Sequence, residues 1–128
     1  MKMQRPMRLL FADDETSIQE LMRIELPRLG HEATVCPDGR TALAALDRTA
    51  YDCVVVDLDM PGASGMEVIA RVRETSPDTE TVIITGKSSV ETAIEAVRQG
   101  VFEYLTKPCR LAEIQAVLER VRKKRELT

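Results

Sequence analysis

Short apolar runs rich in β-branched residues alternate along this chain with segments of helical spacing, and this alternation limits the folds open to it. The runs occupy residues 8–12, 33–36, 53–56, 82–85 and 102–105. Such a rhythm is typical of repeated βα units. Residues 54–56 and 82–84 are apolar without a break, as in parallel strands that helices cover on both faces.

Apolar residues between the runs predict amphipathic helices. The first stripe comprises Ile18, Leu21, Met22, Leu26 and Leu29, and Thr16/Gln19 and Ser17/Glu20 each match a capping box at its start. Pro27 lacks an N–H group, so we expect a kink or an early end near Glu25, with Gly30 closing the segment.

The later segments predict four further helices. Their stripes are Ala42, Leu43 and Leu46; Met66, Ile69 and Val72; Val90, Ala93, Ile94 and Val97; and Leu111, Ile114, Val117, Leu118 and Val121. Ser88 with Glu91 predicts the cap of the fourth helix. Because crossovers between parallel strands are right-handed, the pattern favours an α/β fold, a doubly wound (βα)5 open parallel sheet in three layers.

Composition favours one domain, without a feature that attracts nucleic acid. A chain of 128 residues with 44% apolar content predicts a single domain over residues 1–128, with its core at about 7–125. The net charge of −3 is spread along the chain, so we expect no direct nucleic acid binding. Cys36, Cys53 and Cys109 lack metal or disulfide spacing and predict reduced thiols. The apolar run before Asp13 is too short for a signal peptide or a membrane span, which predicts a cytoplasmic protein without membrane contact.

Polar residues follow four of the five predicted strands. They are Asp13-Asp14-Glu15, Asp57 with Asp59, Thr85-Gly86-Lys87, and Lys107-Pro108. In an open parallel sheet these positions meet at one edge. Clustered carboxylates repel by roughly 4 kcal/mol per pair at an effective dielectric near 20, so they require a cation, and all-oxygen ligands favour Mg²⁺. Helix capping is the alternative for Asp13 and Asp14, but it does not explain four polar strand ends.

These motifs resemble the receiver domain of two-component response regulators. The resemblance lies in Asp13-Asp14-Glu15 and in the segments VVVDLDMPGASGMEVI, VIITG and EYLTKP, and it runs from Met7 to about Arg125. It implies the flavodoxin-like strand order 2-1-3-4-5 of the chemotaxis regulator. The stretch TAIEAVRQG and the segment around Tyr104 resemble, more narrowly, the receivers of nitrogen-regulation-class transcription activators.

The resemblance implies a role for each site residue. Asp57 would accept a phosphoryl group from a phosphohistidine, which makes it both the phosphorylation site and a metal ligand. Asp13, Asp14 and the backbone carbonyl of Asp59 would complete the site for Mg²⁺, with Mn²⁺ as the alternative ion. Lys107 would offset charge on the phosphoryl oxygens, and Thr85 would hydrogen-bond one of them. The bond before Pro108 would be cis.

The resemblance also implies a switch and a set of partners. Thr85 would move toward phosphorylated Asp57, and Tyr104 would turn inward and change the surface of helix 4, strand 5 and helix 5. That surface would control an output domain or a partner protein, or form a phosphorylation-dependent homodimer. The phosphodonor would be a sensor histidine kinase or a phosphotransfer protein. The domain would be no enzyme beyond catalysing its own phosphorylation and dephosphorylation.

Two other readings of the motifs lead to different functions. Asp57-Leu58-Asp59 imitates the D-x-D motif of haloacid-dehalogenase-like phosphohydrolases, but Met60-Pro61 and the early position of Asp13-Asp14 depart from that family. A metal-independent pseudo-receiver would lack these acids, and a flavin module would need stacking partners, whereas only four residues are Phe or Tyr.

Three smaller expectations concern charged residues. Asp59 and Lys87 flank the pocket with opposite charges, and we expect them to pair and to lengthen the phosphorylated lifetime. His31 is expected to be a solvated turn residue and not a metal ligand. The helix end carries the basic residues Arg120, Arg122, Lys123, Lys124 and Arg125, which predict a solvated terminus, with contact to a nucleic acid or an anionic partner as the alternative.

Overall fold

Five parallel strands alternate with five helices in the computed structural model, which describes residues 6–127. The elements are β1 (Arg8–Ala12), α1 (Thr16–Arg28), β2 (Glu32–Cys36), α2 (Gly39–Arg48), β3 (Cys53–Val56), α3 (Gly65–Thr75), β4 (Glu80–Thr85), α4 (Val90–Arg98), β5 (Glu103–Thr106) and α5 (Leu111–Glu126). The strand order β2-β1-β3-β4-β5 confirms the predicted flavodoxin-like fold. The predicted single domain included residues 1–5 and 128, which lie outside the described residues.

Helices cover both faces of the sheet, because its central strands are apolar on both sides. Leu10 of β1 packs with the apolar sides of α2 and α3, whereas Leu9 and Phe11 pack with α1 and α5. All four residues of β3 are buried. This arrangement gives the three predicted layers and explains why β3 and β4 lack an apolar–polar alternation.

Helix α1 differs from its prediction at both ends. Its N-cap is Glu15 without a side-chain cap bond, so neither predicted capping box forms. Gln19 is buried and donates from Nε2 to the backbone oxygen of Asp13 at 2.9 Å. The helix continues to Arg28, so the early end near Glu25 is wrong: Pro27 removes only the one bond that its own N–H would make, and the N–H of Leu29 still donates to the carbonyl oxygen of Glu25 at 3.0 Å. Gly30 closes the segment with φ of 91°.

Helix α4 turns its predicted apolar stripe toward solvent. Val90, Ile94 and Val97 are 73%, 48% and 80% exposed, and Ala96 makes the buried contact instead. The helix is capped by Ser89 with Thr92, not by Ser88 with Glu91. The spacing correctly predicted a helix with an apolar face, but periodicity does not say whether another element covers that face.

Two polar residues predicted to be solvated are buried. His31 is 7% exposed and its Nδ1 accepts a hydrogen bond from the backbone N–H of Met7. Burial lowers the pKa of His31. Arg122 is 4% exposed and pairs with Glu119 and Glu126 on its own helix. Both predictions are wrong because these side chains face the space between neighbouring elements, which one-dimensional spacing does not define.

Two further sequence expectations concern the cysteines and the membrane. Within residues 6–127, Cys36, Cys53 and Cys109 are all free thiols. The same part of the chain contains no helix that combines the length and the apolar content needed to cross a bilayer.

Candidate functional site

The carboxyl edge of the sheet gathers three aspartates. Asp13 and Asp14 follow β1, and Asp57 follows β3. Each offers a carboxylate oxygen, and these oxygens lie within 4.8 Å of one another. Asp13 and Asp57 are buried and Asp14 is exposed, so the cluster opens to solvent on one side.

Lys107 follows β5, the outermost strand on one side of the sheet, and its side chain reaches this cluster. Its Nζ donates to Asp13 Oδ2 at 2.8 Å, to Asp57 Oδ2 at 2.8 Å and to Glu15 Oε1 at 2.9 Å. Burial by itself would lower the pKa of Lys107, but these hydrogen bonds outweigh it and raise the pKa above its usual value. The ammonium therefore stays charged. The Lys107–Pro108 peptide bond is cis, as the resemblance implied.

The backbone holds the two buried carboxylates in place. Burial raises the pKa of Asp13, while hydrogen bonds from Lys107 and from the backbone N–H of Glu15 act in the opposite direction. Asp57 continues the sheet through its N–H, which donates to the carbonyl oxygen of Ala12 at 3.0 Å. The N–H of Asp59 donates to Asp57 Oδ1 at 3.1 Å and fixes the orientation of that side chain.

The donor set fits a small hard dication. Asp13, Asp14, Asp57 and Glu15 place four carboxylates around the single ammonium of Lys107, so the described contacts leave an excess of negative charge. The donors are all oxygen, and they are open to solvent at Asp14, which suits an ion that keeps several waters. Mg²⁺ meets these requirements.

Thr85 and Tyr104 occupy separate environments near the site. Thr85 is fully buried at the end of β4, and its Oγ1 accepts from the N–H of Lys87 at 3.1 Å. Tyr104 of β5 is half-buried, and its hydroxyl forms a 2.7 Å hydrogen bond with Oγ1 of Thr92 on α4. The tyrosine is therefore bonded to α4 in this conformation.

An exposed ion pair lies at the rim of the site. Lys87 Nζ lies 3.0 Å from Asp59 Oδ2, with both side chains more than half exposed. The predicted pairing of these two side chains is thus present. Its effect on the phosphorylated lifetime stays a prediction.

One site contact was missed from the sequence. The sequence shows Glu15 as the third acid of its run and indicates no partner for it, whereas its carboxylate contacts Lys107, 92 positions along the chain. The run of three acids after a strand was the available signal. It did not indicate which of the three would face β5.

Gly65 at the start of α3 lies against the backbone of Asp57. A Cβ at this position would lie 2.3 Å from the Asp57 carbonyl oxygen, so the backbone must shift. We expect Gly65→Ala to lower the free energy of unfolding by about 1–3 kcal/mol, measured by urea unfolding.

Gly86→Ala is the control for this stability effect. A Cβ at Gly86 would meet only side-chain atoms of Lys107, at an ordinary 3.9 Å. Equal unfolding midpoints for the two variants would show that the backbone of Asp57 is not packed as described.

The fold and the site together define a class of signalling protein. Residues 9–119 match the family described as the response regulator receiver domain, and this chain belongs to that family. Members of the family are phosphoacceptor domains of two-component systems, which act as signalling switches and not as metabolic enzymes. This assignment leaves the phosphohydrolase alternative without support.

The chain is also similar to known regulatory proteins and to a solved receiver domain. The chain is 34% identical to the transcriptional regulatory protein QseB of Haemophilus influenzae over 93% of this chain and 54% of that protein. It is 32% identical to the DNA-binding transcriptional regulator NtrC of Azospirillum brasilense over 88% of this chain and 23% of that protein. The solved receiver domain of the Francisella response regulator 1452 is 28% identical with a TM-score of 0.84, covering 93% of this chain and 98% of that one. The chain thus spans about half, or less, of these curated relatives.

Proposed function

We propose that Asp57 accepts a phosphoryl group from a phosphohistidine, with Mg²⁺ held by Asp13, Asp14, Asp57 and the backbone carbonyl of Asp59. The observation that carries this proposal is the ammonium of Lys107, which bridges Asp13 and Asp57 at 2.8 Å each. A cation at this point lies where the negative charge of a transferring phosphoryl group must be stabilised. Mn²⁺ is the alternative ion.

The transfer replaces one phosphorus bond by another. A carboxylate oxygen of Asp57 attacks the phosphorus, the P–N bond of phosphohistidine breaks, and its electron pair stays on the imidazole, which takes up a proton from solvent. Lys107 Nζ donates to a phosphoryl oxygen, and the N–H of Asp59 keeps the attacking carboxylate oriented. The bound ion supplies charge neutralisation at the phosphoryl oxygens. Hydrolysis of the resulting acyl phosphate by water resets the domain.

The switch uses Thr85 and Tyr104. The Thr85 hydroxyl turns from the Lys87 N–H to a phosphoryl oxygen, and Tyr104 gives up its bond to Thr92 and moves inward. The exposed apolar residues Val90, Ile94 and Val97 belong to the surface that changes. A two-state element of this kind needs only a few kcal/mol of differential contact.

The partners follow from that surface and from the phosphodonor chemistry. The donor is a sensor histidine kinase or a phosphotransfer protein. The surface of α4, β5 and α5 controls an output domain, a partner protein or a phosphorylation-dependent homodimer. Transcriptional regulation is supported by QseB and NtrC, which are transcriptional regulators and extend well beyond the part matched by this chain.

The direct test is chemical labelling of Asp57. We expect the chain, exposed to Mg²⁺ and a small acyl-phosphate donor, to gain one labile phosphate that mass spectrometry maps to Asp57. Asp57→Asn should remain unmodified, because the amide is not a nucleophile for this reaction. Asp47→Asn, which removes an exposed acid paired with Arg71, is the matched control and should be labelled like the wild type. Labelling of Asp57→Asn at the wild-type level would refute the proposal.

The Asp59–Lys87 pair should slow loss of the phosphoryl group. Because the pair lies at the rim of the pocket, it limits access of water to the acyl phosphate. We expect Asp59→Ala and Lys87→Ala each to shorten the phosphorylated lifetime, measured by the decay of isolated phosphoprotein. Unchanged decay in both variants would show that the pair has no gating role.

A further inference from the structure

Glu15 contacts the ammonium of Lys107 without belonging to the cluster of Asp13, Asp14 and Asp57. We propose that Glu15 is a positioning residue for Lys107: it holds the ammonium while Mg²⁺ takes Asp13 and Asp57, and it releases the ammonium to the incoming phosphoryl group. This inference rests on the proposed function and assigns a role to a residue outside the predicted metal ligands.

The hydrogen bonds of Lys107 set up this role. An ammonium has three donors, and those of Lys107 are directed to Asp13, Asp57 and Glu15 at 2.8, 2.8 and 2.9 Å. Two of these acceptors belong to the aspartate cluster that could hold a metal ion. Glu15 is the one partner of the three that does not. Lys107 can therefore keep an anionic partner when a metal ion occupies the other two.

Burial separates the three contacts by strength. The side chains of Asp13 and Asp57 are 2% and 7% exposed, whereas that of Glu15 is 54% exposed. Breaking a buried pair leaves an uncompensated charge, but an exposed carboxylate that loses its partner is solvated by water. The contact of Lys107 with Glu15 is thus the easiest of the three to break.

The backbone keeps Glu15 close while its side chain is free to move. Its N–H donates to Asp13 Oδ1 at 2.9 Å, so the main chain is fixed against a buried carboxylate. The residue also forms the N-cap of α1 without using its side chain as a cap. The Glu15 carboxylate is therefore held within reach of Lys107 but is not committed to the helix.

Metal binding should be easier with Glu15 present. The ammonium and a dication compete for oxygens of Asp13 and Asp57. Without the Glu15 carboxylate, metal uptake would leave Lys107 with none of its three anionic partners. The dication would also lose the attraction of a nearby negative charge. Both effects predict weaker Mg²⁺ binding when Glu15 is neutralised.

Phosphoryl transfer at saturating Mg²⁺ should become faster when Glu15 is neutralised. An anionic donor is repelled by the Glu15 carboxylate and competes with it for Lys107. With Mg²⁺ saturating, neutralising Glu15 frees a donor of the ammonium and removes the repulsion. The rate constant for phosphorylation should then rise. A merely structural role would not weaken Mg²⁺ binding and at the same time raise the rate constant for phosphorylation.

The test compares Glu15→Gln with Glu20→Gln, which removes an exposed acid further along α1. Mg²⁺ affinity is measured by calorimetry, and the second-order rate constant for phosphorylation by a small acyl-phosphate donor is measured at saturating Mg²⁺. For Glu15→Gln we expect the Kd for Mg²⁺ to rise about 3- to 5-fold and the rate constant to rise about 2- to 5-fold, the scale of an exposed ion pair. Glu20→Gln should match the wild type.

The inference is overturned if either constant for Glu15→Gln stays at its Glu20→Gln value or moves the other way. Such a result with a wild type that binds Mg²⁺ and becomes phosphorylated removes the role of Glu15 alone. A wild type that does neither removes the proposed function and this inference with it.

Discussion

Replacing Lys107 by methionine should slow phosphorylation of Asp57 by about 100-fold or more while strengthening Mg²⁺ binding. The rate falls because the variant loses a preorganised cation that stabilises developing charge on the phosphoryl oxygens. The affinity rises because the ammonium no longer competes for Asp13 and Asp57, which it contacts at 2.8 Å each. Methionine keeps much of the apolar length of lysine, so packing around the stem should be preserved.

The same variant should depend on metal for stability. Without the ammonium, Asp13 and Asp57 are buried carboxylates with no cationic partner among the contacts described, and this arrangement is costly. Thermal unfolding should therefore show a lower Tm in a chelator and recovery at saturating Mg²⁺. Lys123→Met, which removes an exposed lysine of α5, is the control and should change neither rate nor affinity. A Lys107→Met rate equal to that control would contradict the role of Lys107.

Removing the divalent ion should have a comparable effect on the rate. We expect a chelator, or Asp13→Asn, to lower the rate of phosphorylation by about 100-fold or more, because the charge of the phosphoryl group would then be met by Lys107 alone. In the wild type, Mg²⁺ at 100 times its Kd should stabilise the fold by about 2.7 kcal/mol.

Stability measurements separate metal binding from chemistry. Asp13→Asn should lose most of the stabilisation by Mg²⁺, measured as the shift of the unfolding midpoint on titration with the ion. Asp47→Asn should retain it, because Asp47 lies on α2 and pairs with Arg71. Full Mg²⁺ stabilisation of Asp13→Asn would show that the ion binds elsewhere.

The fold was predictable because the central strands are recognisable in the sequence as short apolar runs. β1 and β3 have the predicted bounds, since each is a compact apolar run that ends at an aspartate. β5 runs from Glu103 to Thr106 and not over residues 102–105, because this edge strand is only half-buried and has a weaker apolar boundary. The strand order came from the family resemblance and not from periodicity.

Convergence of the site residues was predictable from topology, whereas individual contacts were not. Parallel strands bring the residues after β1, β3 and β5 to one edge, so Asp13, Asp57 and Lys107 were expected to meet. The contact between Glu15 and Lys107 depends on side-chain reach across the sheet. The burial of His31 depends on packing between elements distant in sequence, which one-dimensional spacing does not encode.

A structure of the protein with Mg²⁺ and beryllium fluoride, which mimics a phosphoryl group on a carboxylate, would show whether Asp57 is the phosphoacceptor beside a bound divalent ion. We expect the mimic on Asp57, the ion bound at Asp13, Asp14, Asp57 and the backbone carbonyl of Asp59, and Lys107 Nζ within hydrogen-bond distance of a fluoride. We also expect Thr85 to have turned to the mimic and Tyr104 to have separated from Thr92. An ion bound away from Asp13 and Asp57, or a mimic attached to another residue, would contradict it.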